Sequence, residues 1–328
     1  MHVDPLVSVV VPVYRTHIPY VEACVASVLR QTAGSAWELV IVDNGSGARY
    51  ARRLERAIGH AGTAGNVRFV RLGSHGGPAE ARNAGAIEGS GSYLLFLDSD
   101  DLLEPDAIEA ITPVLLAGSG FVYADETAVS ADARHVLYVR EKVIYDSLLR
   151  RFWGTAFDPL LHASFIEHPR IVRKAEFLAL GGFRTDLGCG DEIDLDLRAS
   201  ERAGPEGMVL VPRKLYSYRH HAANMMRQRD LREEVVRTRE RSIVEAARRR
   251  GLDVEHCARL GRATPTHAPH YALFDSAGER ISAPYFDYDN LAIRPEYLGP
   301  SPSAGISPKQ SRPRGRDRGT SPRSRHSL

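Results

Sequence analysis

Asp98, Ser99, Asp100 and Asp101 follow directly on the apolar run Tyr93-Leu94-Leu95-Phe96-Leu97. The run reads as a buried strand: it is short and continuous and is entered through the turn-forming Gly89-Ser90-Gly91-Ser92. Three carboxylates just past a strand end repel one another and are poorly solvated unless a cation sits among them. Hard oxygen ligands of this kind suit Mg2+ or Mn2+, ions usually held by one or two carboxylates together with substrate phosphates. The plainer reading is an acidic turn leading into a helix that starts near Pro105, because short motifs match easily. Asp43 also ends a strand-like stretch, Glu38–Val42, in the turn Asp43-Asn44-Gly45-Ser46, where it could simply bond its own backbone. Arg82 could pair with phosphate through two parallel hydrogen bonds, or be a solvated helix arginine. Asp191 and Glu192 open a helical stretch; Asp191 could cap it, and Asp194 and Arg198 could form a surface i,i+4 pair.

These groups are positioned by strands and helices in alternation. Val7–Val13 is a β-branched strand, and Val21, Val25 and Val28 recur at helical spacing over 19–29. A strand over 38–42, a charged helix over 49–58, a strand over 67–72 and a helix over 79–87 precede the strand before Asp98. That order predicts a mainly parallel sheet with right-handed crossovers, whose carboxyl edge is where ligands collect. Past Asp101 the pattern loosens. A helix over 104–116 and a strand over 120–124 are followed by an irregular stretch over 136–157. Gly181-Gly182-Phe183 is a loop, a helix runs from Asp191 to about Ala203, and two short strands are expected at 208–211 and 215–219. The Arg/Glu helix over 231–250 reads as a solvated face, and 269–293 as a small strand-rich appendage.

Composition narrows the class. A length of 328 residues allows one large α/β domain with appendages, or two domains. A net charge of +2 argues against a dedicated nucleic-acid partner. Three widely spaced cysteines, Cys24, Cys189 and Cys257, form neither a disulfide framework nor a metal knuckle, so a reducing cytoplasm is the expected location. The apolar run at Val7–Val13 is too short for a signal core or a membrane span, which predicts a soluble or at most peripheral protein. The Arg/Ser/Pro/Gly-rich end of the chain has the composition of a disordered basic tail.

Six patterns in fixed order give the chain a resemblance to family 2 glycosyltransferases of the GT-A fold, over residues 1–225. They are Val9-Val10-Val11-Pro12-Val13-Tyr14, Val42-Asp43-Asn44-Gly45-Ser46, Gly77-Pro78-Ala79-Glu80-Ala81-Arg82-Asn83-Ala84-Gly85, the Asp98/Asp100 pair, Gly181-Gly182-Phe183 with Asp191-Glu192-Ile193-Asp194-Leu195-Asp196-Leu197-Arg198, and Tyr218-Arg219-His220-His221. The chain departs from the family's pattern at Asn44, where a second acidic residue is usual, and at Glu192, where the usual Asp is one methylene shorter. The resemblance implies a GT-A domain over 1–225, a C-terminal helix and small appendage over 226–298, and the basic tail over 299–328. It also implies metal-dependent inverting transfer from a nucleoside diphosphate sugar, with uridine as the expected nucleotide. The hydroxyl acceptor would be a glycan, a lipid-linked precursor or a small molecule.

By the same resemblance, Pro12, Val13, Tyr14, Asp43, Arg82, Asp98 and Ser99 would bind the nucleotide sugar. Asp100 and His221 would hold a divalent ion, Mn2+ or Mg2+, and Glu192 would be the general base with Asp191 as its fallback. Asp101 reads as a carboxylate leading the next helix. Only one of His220 and His221 can face the site, because adjacent strand residues point to opposite faces. Tyr123-Ala124-Asp125-Glu126 resembles a stretch whose carboxylates touch sugar or acceptor. Rival readings are a nucleotidyltransferase, which would need a Gly-rich basic loop after the first strand where Tyr14-Arg15-Thr16-His17 stands, and a non-catalytic nucleotide-sugar- or glycan-binding homologue. The basic tail offers a weak peripheral contact with anionic lipid.

Overall fold

The computed structural model describes residues 4–34, 36–59, 66–155, 158–161, 165–263, 286–287 and 292–293. Strands β1 (Val7–Val13), β2 (Trp37–Asp43), β3 (Val67–Arg71) and β4 (Tyr93–Phe96) alternate with helices α1 (Ile18–Leu29), α2 (Ala48–Ile58) and α3 (Gly77–Glu88). Then come β5 (Leu102–Leu103), α4 (Ala107–Leu116), β6 (Phe121–Val129), β7 (Val136–Arg140) and α5 (Val143–Phe152). The body closes with β8 (Arg170–Arg173), α6 (Lys174–Ala179), α7 (Asp191–Ala203), β9 (Met208–Arg219), α8 (Arg229–Arg249) and α9 (Val254–Ala263).

One sheet runs in the order β3-β2-β1-β4-β8-β6-β9-β5, with β7 on the free part of β6. Its first four strands are parallel, while β8 enters antiparallel between β4 and β6. Both faces are covered, which explains why β1, β2 and β4 are mostly apolar on both faces rather than alternating; the buried Ser8 hydroxyl of β1 donates to Glu38 of β2 at 2.6 Å. Val9, Val11, Leu39, Ile41 and Leu95 face α1, α2 and α4 through Val25, Val28, Leu54, Ile108 and Ile111. Val10, Leu94, Phe96, Phe121 and Tyr123 face the other way, onto Ala86, Leu195, Leu197, Ile243 and Ala246.

Register sets the edge where chemistry can occur. Val13 pairs with Asp43 and Val10 with Phe96, so the carboxyl ends of β1, β2 and β4 emerge together. Helix α3 is pressed onto this part of the sheet at Gly85, where an added Cβ would stand 2.4 Å from Val10 Cγ1. That close approach brings Arg82, one turn earlier, over the end of β4.

Several expected elements differ in extent. The two short strands at 208–211 and 215–219 are one twelve-residue strand, β9, which follows β6 through register shifts at Asp125. The stretch over 136–157 contains β7 and α5. β7 pairs antiparallel with β6 and its last four residues, Leu137 to Arg140, are all buried, so its sequence shows no alternation. The Arg/Glu helix α8 is not solvated all round: Thr238, Ser242, Ile243, Ala246 and Ala247 are buried, and Thr238 Oγ1 donates to Leu187 O at 2.7 Å. Its charges are paired locally, with Arg241 to Asp186 at 2.7 Å and Arg249 to Glu201 at 2.6 Å. Most of 269–293 lies outside the described residues; within it, Phe286–Asp287 and Ala292–Ile293 pair as two short antiparallel strands. The tail over 299–328 also lies outside them. No helix among the described residues is long and apolar enough to cross a membrane.

Candidate active site

The strand ends supply the first group of predicted residues. Val13 is buried in β1 and Pro12 is half-buried, while Tyr14 just beyond is exposed and stacks on His75, with ring centroids 3.6 Å apart and planes 15° apart. Asp43 is buried, with Oδ1 accepting from Ser46 N at 3.1 Å and Oδ2 standing 3.7 Å from Arg71 Nε. Asn44, at the position where the family carries an acid, bonds to Gly77 O through Nδ2 at 2.8 Å and accepts from Gly76 N at 3.3 Å. An amide can both donate and accept there, so it ties the β2 turn to the start of α3 in a way a carboxylate cannot. Ser99 is tied to Thr16 through a 2.8 Å hydroxyl contact.

Arg82 is buried and holds three carboxylates. Its Nη2 donates to Asp98 Oδ1 at 3.0 Å, and Nη1 lies 2.8 Å from Glu192 Oε1 and 3.4 Å from Asp191 Oδ1. These residues come from α3, the end of β4 and the start of α7. Asp191 and Glu192 differ sharply. Glu192 keeps part of its side chain open to the recess lined by Arg82, Phe96, Asp98, His168, Arg170 and Phe183. Asp191 is fully buried, and its Oδ2 has no hydrogen-bond partner among the described residues.

Electrostatics separates the pair further. Burial alone would push the Glu192 carboxyl up, but the Arg82 and Arg170 guanidiniums outweigh it and hold it down at about 2. Burial and the Glu192 charge push Asp191 well above the usual carboxylate range. Asp191 is not the helix cap: Gly190 occupies that position in the left-handed region, φ 86°, and no side chain caps α7. Nor is Asp194–Arg198 a surface pair, since Asp194 is buried and its Oδ2 lies 2.6 Å from Arg198 Nη2.

On the other side of Asp98, His221 Nε2 lies 2.9 Å from Asp100 Oδ2. His220 points away and meets Tyr138 Oη through Nε2 at 2.7 Å. Asp101 does not lead the next helix; it is buried, accepting from Tyr216 Oη and from Arg219 N, each at 2.7 Å. It therefore fastens β9 to the loop that carries Asp98 and Asp100. Burial, with Asp100 and Asp98 beside it, pushes the Asp101 carboxyl well above its usual range.

The Asp98 and Asp100 carboxylates are partly open and offer the oxygen donors a divalent ion prefers. His221 fits such an ion less directly. Its Nδ1 accepts from Ala223 N at 3.2 Å, which leaves the proton of a neutral ring on Nε2, facing Asp100. Ligation through Nε2 requires that proton to move and the Ala223 contact to open. Ligand atoms of Asp98, Asp101 and His168 also lie within 4.8 Å of one another. Asp101 is a poor ligand there because both of its oxygens are engaged with β9.

Sequence motifs did not identify the residues that mount this site. Arg170 makes a two-pronged pair with Asp196, at 2.8 Å on each prong. Lys142 is fully buried, and its Nζ donates to Ala124 O and Ile166 O at 2.6 Å each and to His168 O at 2.5 Å. Burial holds its ammonium down at about 8. Asp125 and Glu126 belong to the same support rather than to a sugar or acceptor contact. Asp125 Oδ1 accepts from Lys142 N at 2.8 Å, while the Glu126 oxygens accept from Arg140 Nη1 at 2.5 Å and His168 N at 3.1 Å. Isolated basic residues outside any motif carry no signal of such roles; only their burial does.

Residues 8–169 match the family profile described as Glycosyl transferase family 2. Among curated proteins, the O-antigen biosynthesis protein RfbC of Myxococcus xanthus is 27% identical over 277 residues, covering 81% of this chain and 19% of that protein. The chain thus spans about a fifth of the length of the first curated relatives it matches. Among solved structures, S. aureus TarS in complex with UDP-GlcNAc aligns with a TM-score of 0.56 at 18% identity, covering 78% of this chain and 70% of that one. The mannosyltransferase PcManGT from Pyrobaculum calidifontis, in complex with GDP-Man and Mn2+, aligns with a TM-score of 0.53 at 18% identity, covering 80% and 74%. These likenesses establish the fold as the α/β GT-A type.

Proposed function

The chain belongs to glycosyl transferase family 2 through its residues 8–169, and from that premise we propose that it moves a sugar from a nucleoside diphosphate sugar to an acceptor hydroxyl, with inversion at the transferred carbon. One observation carries this reading: a single buried guanidinium, Arg82, joins Asp98 at the end of β4 to Glu192 at the start of α7. A donor-side carboxylate and a base thereby face one recess at the carboxyl edge of the sheet.

In this reading Glu192 takes the proton of the acceptor hydroxyl as that oxygen attacks the anomeric carbon, and the nucleoside diphosphate leaves from the opposite side. Tyr14, with its ring exposed beside β1, offers a face for the nucleotide base, and Asp43 borders the same edge. Arg82, whose charge is already shared by Asp98 and Glu192, orients those two carboxylates beside the departing diphosphate. A divalent ion, Mn2+ or Mg2+, held by Asp98 and Asp100 would neutralise the charge on the diphosphate. UDP is the proposed nucleotide. The TarS structures, which contain UDP or UDP-GlcNAc, support a nucleotide sugar in general, as does the GDP-Man of the mannosyltransferase.

The acceptor proposed is the hydroxyl of a cell-surface glycan precursor, in keeping with a relative concerned with O-antigen biosynthesis. The Arg-rich end of the sequence would draw the protein to the inner face of a membrane, at about 1 kcal/mol per basic residue near anionic lipid. Sedimentation with anionic vesicles, with and without residues 301–328, tests that part. For the reaction itself, the protein is incubated with Mn2+ and a panel of UDP- and GDP-sugars, and release of the diphosphate is measured with and without glycan acceptors. Acceptor-stimulated release from one donor is expected. No release from any donor, in a protein that also binds no nucleoside diphosphate, would overturn the reading.

A further inference from the structure

His168 lies on the segment entering β8, and none of the motifs includes it. Its ring is parallel to that of Tyr216, 4.8 Å between centroids and 11° between planes, with Tyr218 beyond it at 6.0 Å. Its backbone is fixed at both ends, since Glu126 Oε2 accepts from His168 N and Lys142 Nζ donates to His168 O. Both of those partners are fully buried. A side chain mounted on such supports is held in one orientation before any ligand arrives.

That orientation leads into the recess shared with Arg82, Asp98 and Glu192. His168 Nε2 stands 3.7 Å from Asp98 Oδ2, beyond hydrogen-bond range. At that separation nothing fits on the line between the two atoms, but a polar atom seated to one side of it lies within hydrogen-bond reach of both. The remaining charges narrow what that group can be. Both guanidiniums lining the recess are already engaged, Arg82 by Asp98 and Glu192 and Arg170 by Asp196. A ligand carboxylate would therefore meet Asp98 and Glu192 without a cation of its own. A hydroxyl, which can donate to a carboxylate and pair with an imidazole, suits that position.

We propose that His168 hydrogen-bonds a hydroxyl that the donor sugar inserts into this small recess from outside, and that the carboxylates lining it favour an uncharged pyranose over a uronate. This rests on the reading of the site as a nucleotide-sugar site. In that reading Asp98 belongs to the diphosphate side and Glu192 to the acceptor side. The transferred ring must therefore lie over the recess, with a hydroxyl within reach of His168.

The test is calorimetric titration of the full chain, in Mn2+, with UDP, UDP-glucose, UDP-N-acetylglucosamine and UDP-glucuronate, and with GDP and GDP-mannose. The quantity read is how much tighter the best-bound sugar conjugate is than its own diphosphate. His168→Ala is expected to reduce that ratio about tenfold and to leave affinity for the bare diphosphate unchanged, the size expected for one well-placed hydrogen bond. His168→Gln, which keeps a donor and an acceptor, should recover most of the ratio. UDP-glucuronate should bind no more tightly than UDP.

A wild-type ratio preserved in His168→Ala overturns the proposal. So does an equal loss of bare diphosphate binding in both variants, which marks a structural role, and so does preferential binding of UDP-glucuronate. If the wild type binds neither UDP nor GDP, the reading of the site falls as well, and that result is distinct from the others.

Discussion

Arg82 Nη1 lies 2.8 Å from Glu192 Oε1, so the carboxylate proposed as the base is held by the cation that also reaches Asp98. The contact keeps Glu192 ionised, its carboxyl held down at about 2 despite burial. It also makes the base dependent on the placement of α3, which is fixed by the close packing of Gly85 on Val10. Removing the carboxylate while keeping the shape isolates its chemical role. Glu192→Gln should depress turnover by roughly 100- to 10,000-fold, with donor affinity nearly unchanged, as steady-state kinetics and donor titration can show. Unchanged turnover would move the base elsewhere.

Asp191 should behave oppositely. Its carboxyl is raised in the folded state, so the stability linked to it is full below the unfolded value of about 3.9 and is lost as pH rises through the higher folded value. Asp191→Asn removes that pH dependence. Thermal unfolding followed from acid to neutral pH should show the variant gaining on the wild type as pH rises, with turnover little changed. A variant that loses turnover as completely as Glu192→Gln would assign the base to Asp191.

Turnover should require a divalent ion. EDTA should abolish it, with Mn2+ or Mg2+ restoring it, and Asp100→Ala should reduce it by roughly 100-fold or more while leaving the melting temperature close to that of the wild type. Full turnover in EDTA would remove the ion from the mechanism.

His221 separates two roles by the variant that rescues it. With Ala223 N–H directed at Nδ1, the structure has His221 donating through Nε2 to Asp100. If orienting Asp100 is its function, His221→Gln should retain more turnover than His221→Leu, with both keeping similar Mn2+ affinity. A loss of Mn2+ affinity of about 10- to 100-fold in both variants would instead make the imidazole a ligand.

Lys142 is expected to be among the most sensitive positions outside the recess. Lys142→Met leaves three backbone carbonyls and the Glu126 carboxylate without their buried cation. Denaturant unfolding should register a loss of about 2–4 kcal/mol. A loss below about 0.5 kcal/mol, the range of ordinary surface substitutions, would show that water satisfies these groups.

The sequence alone determined the alternating first half of the fold, because runs such as Val9–Val13 and Leu39–Val42 are covered on both faces and must be apolar throughout. It also marked Asp43, Arg82, Asp98, Asp100, Glu192 and His221, because strand-end and helix-start positions carry local motifs. Tertiary structure decided what each of them faces. Asp191 and Glu192 are neighbours in sequence, yet α7 buries one and opens the other to the recess, since successive helical residues turn by about 100°. Asp101 looked like part of an acidic turn, but β9 arrives from more than a hundred residues away and takes both its oxygens. His168, Lys142 and Arg170 acquire meaning only where β6, β8 and α7 meet. Hydrogen bonds between segments distant in the chain are set by packing, and no local pattern encodes them.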